Sequence, residues 1–156
     1  MTQPRGGLLS PKSRVSLGLV GGLAGSIVMG FSFVALSALG IMQFAWLPAV
    51  GGLFGGSGFA AGAALYGLGE WVAMGMVWGL IFAFGFTTYS VTKGMSVAGL
   101  AFLVMAAAFA LVSTPALNGT LLSLSLPGAL LALAALAIGY ACWGATLGYI
   151  GKRYAE

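Results

Sequence analysis

Histidine is absent, cysteine occurs once, as Cys142, and between Val15 and Gly151 only Glu70 and Lys93 carry charge. Each shortage excludes something. Without histidine the chain lacks the commonest transition-metal ligand and the one side chain that ordinarily titrates near neutral pH, so imidazole-ligated haem and histidine general-base chemistry are out. A lone cysteine closes no internal disulfide, and within an apolar run it behaves as a small hydrophobe. Six basic and two acidic residues among 156 make the chain 5% charged, against about a quarter in soluble domains. A water-facing surface cannot be assembled from so few charges, so lipid or other apolar protein must surround most of the chain. The basic residues form no patch or stripe, which removes nucleic acid as a partner.

What is present is apolar: 60% of residues are hydrophobic and the mean hydropathy is +1.08. A helix crosses ~30 Å of hydrocarbon with ~20 apolar residues at 1.5 Å each. Four segments approach this, at about 15–39, 70–91, 97–112 and 128–150, and they predict an all-α integral membrane protein. Its four-span bundle occupies residues 15–151, between a basic tail at 1–14 and a short tail at 152–156. The first segment is longer than the ~7–15 apolar residues of a signal peptide and is read as a retained span. Ser113-Thr114-Pro115 closes the third, Gly151-Lys152-Arg153 closes the fourth, and Pro127 precedes the fourth as proline suits a helix start.

The segment 40–69 is apolar but interrupted by Pro48, Gly51-Gly52, Gly55-Gly56 and Gly58. Each glycine costs a helix ~1 kcal/mol relative to alanine. Composition alone leaves a re-entrant turn, an interfacial helix and a fifth span open. Charge decides between topologies. With four spans, Arg5, Lys12, Arg14, Lys93, Lys152 and Arg153 all fall on one side; with five they divide evenly. Basic residues mark cytoplasmic loops, so the expectation is four spans, both termini cytoplasmic, and a glycine-rich outer segment. The plasma (inner) membrane of a prokaryote is the expected location.

Small residues recur at helical spacing. Gly18, Gly22, Ser26 and Gly30 stand four apart in span one, with Gly21 and Gly25 beside them; Gly75 and Gly79 follow in span two, and Gly144 and Gly148 in span four. Such pairs let two helix backbones approach and gain van der Waals contact that lipid does not supply. Their number suggests docking onto partner helices as well as packing within the bundle. Trp71, Trp78, Phe82 and Tyr89 form an aromatic stripe on span two. Trp78 and Trp143 lie away from the interfacial belts, as core filler or as a flat surface for a lipid tail, quinone or pigment; no cofactor is predicted outright. Glu70 falls at the outer boundary of span two, where negative charge favours a helix N-terminus, and it becomes a candidate ion or proton site if the helix begins earlier.

No nucleophile–base pair, metal-ligand spacing or phosphate loop is present, so an enzyme is not expected. Two functions fit what remains. The first is a non-catalytic accessory or structural subunit packed against other integral membrane subunits of an energy-converting or pigment-bearing complex. The alternative is a small homo-oligomeric transporter or channel in which Glu70 binds the cation.

Overall fold

The computed structural model describes residues 9–41, 61–111 and 126–156, and these form four α-helices and no strand. The first, α1, spans Pro11–Ala38. Ser10 caps it: its hydroxyl accepts from the Ser13 backbone N–H at 3.2 Å, and Pro11 occupies the first helical position, where proline's missing N–H costs nothing. At the other end Gly40 takes a left-handed φ of 71°. The Ile41 N–H then reaches the Leu36 carbonyl at 2.9 Å and the Gly40 N–H reaches Ser37 at 3.0 Å. This paired closure satisfies carbonyls that the helix end would otherwise strand in apolar surroundings, and it depends on glycine.

The remaining helices are α2 (Ala61–Gly85), α3 (Val91–Leu111) and α4 (Leu126–Ala155). Several boundaries differ from the sequence expectation. Helix α2 is under way by Ala61 and ends at Gly85, whereas a span over 70–91 was expected. The break at residues 86–90 has a polar cause: Ser90 caps α3, its hydroxyl accepting from the Lys93 N–H at 3.3 Å, and the Tyr89 hydroxyl donates to the Ala83 carbonyl near the end of α2 at 2.8 Å. Helix α3 therefore begins at Val91 rather than near 97, and Lys93 is in its first turn, not in a linker. Helix α4 continues through Gly151-Lys152-Arg153 to Ala155. Gly151 is buried among Phe82 and Tyr89 and so packs rather than stops the helix; the two cations sit in the last turn, where they favour the helix dipole. The Ser113-Thr114-Pro115 closure and the part of the glycine-rich segment at 42–60 lie outside the described residues.

Packing order is not chain order. Helix α1 is central, packed on α2 on one side and α4 on the other; α3 packs on α4, and α2 barely touches α3 although they are consecutive. All three packed pairs are antiparallel. Along α1 and α4, the Ser16 and Tyr154 hydroxyls meet at 3.4 Å, and further along, Gly25 meets Trp143 and Phe33 meets Gly139. Consequently the start of α1, the end of α2, the start of α3 and the end of α4 share one end of the bundle. Lys12, Arg14, Lys93, Lys152 and Arg153 are all at that end.

Leu17, Phe33, Phe82 and Leu147 are fully buried, yet much of the outer surface is apolar too: Phe31 is 73% exposed, Leu103 64% and Val34 62%. Three helical stretches, Pro11–Ala38, Gly67–Gly85 and Leu130–Ala155, are long and apolar enough to cross a membrane, while the apolar stretch Val91–Ala107 is shorter.

Candidate functional site

The small residues noted in the sequence form two backbone crossings. At the first, Gly18, Gly22 and Ser26 of α1 face Gly75 and Gly79 of α2. A Cβ on Gly22 would lie 2.8 Å from the Met76 Cα, one on Gly18 2.8 Å from the Leu80 Cα, and one on Gly79 2.9 Å from the Gly22 Cα. At the second, Gly144 and Gly148 of α4 face α3: a Cβ on Gly148 would lie 2.6 Å from the Val91 Cα, and one on Gly144 2.5 Å from the Ala98 Cβ. Gly94 completes this crossing, with the Gly148 nitrogen 2.7 Å from where its Cβ would be. Sequence reasoning overlooked Gly94 and Ala98, although their four-residue spacing is the same signal; Gly94 fell between the expected second and third spans, beside Lys93, and Ala98 just inside the third. Gly21 and Gly25 form a third contact, on the face of α1 turned to α4, against Leu147 and Trp143.

Gly30 departs from the series. Nothing lies within 4 Å of where its side chain would begin; it lines an open apolar groove on the outside of α1 and α2 with Phe31, Val34, Leu68 and Val72. Gly99 of α3 is likewise uncrowded. Alanine at Gly99 should therefore be tolerated and should stabilise the helix by up to ~1 kcal/mol through its higher helix propensity, visible as an unchanged or slightly raised melting temperature in detergent.

Trp71, Trp78 and Trp143 surround a central cavity with Met29, Met74 and Met105. Its volume is about 30 Å³, room for one or two water molecules. Two of the three indole N–H groups find acceptors on α1: Trp71 Nε1 donates to the Ser26 carbonyl at 3.3 Å and Trp143 Nε1 to the Gly22 carbonyl at 3.4 Å. The Ser26 hydroxyl donates to that same Gly22 carbonyl at 3.0 Å. Buried indoles ordinarily secure such a partner. Trp71 also packs on Phe33, ring centroids 5.4 Å apart. Tyr89 leaves the expected stripe, because α2 ends before it.

Glu70 is not at a helix start. With α2 formed from Ala61 onward, about nine residues, or ~13 Å, of helix precede it, so it does not cap the start of this helix. Leu68, Trp71 and Val72 line the outer groove with Ser26, Ile27 and Val34, which sets Glu70 level with the interior of α1. Steps of seven and eleven residues put it on one helical stripe with Val77 and Ile81, which are 49% and 46% exposed. Its Oε2 atom is buried and has no hydrogen-bond partner among the described residues. At the other end of the bundle Lys93 is well served: its Nζ donates to the Thr88 carbonyl at 2.9 Å and to the Thr88 hydroxyl, and lies 5.4 Å from the centre of the Phe86 ring. Among the described residues no three His, Cys, Asp or Glu side chains gather as a metal site.

No family model matches the chain, and no curated protein or solved structure is similar to it.

Proposed function

We propose that this protein is a non-catalytic subunit of a larger membrane complex, crossing the plasma membrane of a prokaryote four times with both termini in the cytoplasm. The orientation rests on charge: the five described cations share one end of the bundle, and cytoplasmic ends collect lysine and arginine. Single cysteines at Ser13, Thr88 and Ala155, introduced with Cys142 replaced by alanine, should all react with an impermeant maleimide from the cytoplasmic side only. Labelling of any one of them from the outside would refute this threading.

The accessory role rests on one observation above all, the position of Glu70. Ionisable residues within spans are costly and mark functional contacts. Here the carboxylate sits inside a helix, on an outward stripe, without a partner from its own described chain, while the glycine crossings already hold the bundle together. No described residue completes it, and other integral membrane subunits of an energy-converting or pigment-bearing assembly would supply apolar helices to cover such a face. Extraction in a mild detergent followed by native mass measurement should give a complex containing unlike subunits; a homogeneous homo-oligomer would overturn the reading. The depth of Glu70 also favours a second reading, a small homo-oligomeric transporter that binds a cation or proton there. That reading requires Glu70→Gln to abolish coupled flux in proteoliposomes, and wild-type flux in the variant would end it.

A further inference from the structure

We infer that the groove between α3 and α4 holds one anionic phospholipid of the leaflet at the basic end of the bundle. An acyl chain lies along the groove and the phosphate meets Lys152. This goes beyond the subunit reading and holds for either proposed function.

The groove has a volume of about 150 Å³ and is lined by Met95, Gly99 and Phe102 of α3 and by Ala137, Tyr140 and Ala141 of α4. It is open at Gly99, where nothing lies within 4 Å of the place a side chain would begin. Met95, nearest the basic end, is 40% exposed. Toward the deep end the Phe102 and Tyr140 rings meet edge to face, centroids 5.7 Å apart. The contact of Gly148 with the Val91 Cα sets the two helices level at the basic end. From that level Phe102 and Ala137 are each about eleven residues in, ~16 Å along the axis. One leaflet's share of the ~30 Å hydrocarbon core is ~15 Å. The groove therefore runs through the depth that the acyl chains of that leaflet fill.

Lys152 supplies the other half of the match. It is about four residues past Gly148, ~6 Å farther out. A step of about eleven residues, close to three whole turns, places it on the stripe of Ala141. It meets Glu156 at 3.9 Å with both side chains more than half exposed, and Arg153 shares the same carboxylate. The chain cannot neutralise this end. Its acids are Glu70 and Glu156, against six cations, and residues 1–8, 42–60 and 112–125 contain no acid. Exposed cations beside a membrane attract anionic headgroups, about fivefold in binding for each lysine or arginine. Lys93 is turned elsewhere: two positions from Met95, it points to the other side of α3, where Thr88 and Phe86 hold it. A free phosphate would meet Lys152 without using the groove. A zwitterionic lipid would use the groove and bring Lys152 no net charge. An anionic phospholipid does both.

The test uses the full-length protein in mild detergent, with phosphatidylglycerol, phosphatidylcholine or inorganic phosphate added separately. Bound lipid is counted by native mass measurement, and the melting temperature is recorded. Wild type should hold one phosphatidylglycerol about fivefold more strongly than phosphatidylcholine and melt higher with it, and inorganic phosphate should change nothing. Lys152→Gln should remove the preference and Lys93→Gln should keep it. Gly99→Leu, which fills the groove, should lose the bound lipid while its lipid-free melting temperature stays at the wild-type value. A photoreactive amino acid in place of Met95 should crosslink to phosphatidylglycerol. Equal retention of the two lipids by wild type would overturn the inference. So would an equal loss of preference in Lys93→Gln, which would mean diffuse attraction, or full lipid retention in Gly99→Leu. Crosslinks from position 95 to protein in place of lipid, or equal stabilisation by inorganic phosphate, would overturn it as well.

Discussion

Gly79→Ala should separate α1 from α2 and unfold the bundle at a temperature roughly 10 °C lower than wild type. A Cβ at this position would come 2.9 Å from the Gly22 Cα and 3.0 Å from the Gly22 nitrogen, and closer still to the Gly18 carbonyl oxygen. All three are backbone atoms of the facing helix, so no rotamer change makes room. The only relief is to move the helix axes apart. That loosens the whole crossing, from Gly18 against Leu80 to the Trp71 hydrogen bond on Ser26. Within a membrane this matters more than in water, because lipid tails are as apolar as the helices and close van der Waals contact is a main source of association. Overpacking of this kind costs about 1–3 kcal/mol, and the rigid opponents place it at the upper end. At about 2–4 °C per kcal/mol for a chain of this size, the shift is readily measured by circular dichroism in detergent. Gly99→Ala is the control: the same substitution, at a helical glycine that meets nothing within 4 Å. If both variants melt with wild type, the tight α1–α2 crossing is wrong.

Trp143→Ala carries the other large expected effect, a loss of about 3–5 kcal/mol, as for buried tryptophan generally. Trp143 is 3% exposed and lies over Gly25, whose absent side chain makes its room: a Cβ there would be 2.6 Å from the indole Cδ1. Removing the ring opens a void that joins the central cavity, and its walls lose dispersion contacts on one side. Trp143→Phe should cost less, since a ring still fills the space and only the 3.4 Å bond to the Gly22 carbonyl is lost; that carbonyl keeps the Ser26 hydroxyl as donor. The pair of variants also separates filler from ligand surface. Filling predicts a lower melting temperature with an unchanged absorption spectrum of the purified protein. A pigment or quinone held against Trp143 predicts loss of bound chromophore instead.

Much of the local architecture could be read in advance. The first span was expected to end near Leu39, as α1 does, but its start was placed near Val15, and the Ser10-Pro11 cap that begins the helix four residues earlier was missed. The spacing of Gly18, Gly22 and Ser26 marked a close-contact face before its partner was known, and Gly75, Gly79, Gly144 and Gly148 did the same on their own helices. The boundary of α2 was not legible. Residues 61–69 mix alanine and leucine, which favour helix, with three glycines, which oppose it, and show no contrast in hydrophobicity, so neither propensity nor periodicity marks a start; tertiary packing and the apolar surroundings favour helix regardless. The break at 86–90 was hidden because Thr87, Thr88 and Ser90 are too few to interrupt an apolar run, although Ser90 is a good cap. The place of Glu70 moved with that boundary, from the rim of a span to the interior of a helix.

The sequence by itself determined that the chain is helical and that its long helices suit a membrane, because scarce charge and ~20-residue apolar runs admit little else. It also determined, through where glycine and serine recur, that helices would approach closely. Only the tertiary structure decided which helices meet. Each is apolar all round, so no amphipathic stripe names its neighbour, and the order α2, α1, α4, α3 arises from which small-residue faces fit against one another. That order gathers the described cations at one end, brings three tryptophans around one small cavity, and sets Glu70 within α2 rather than at its start.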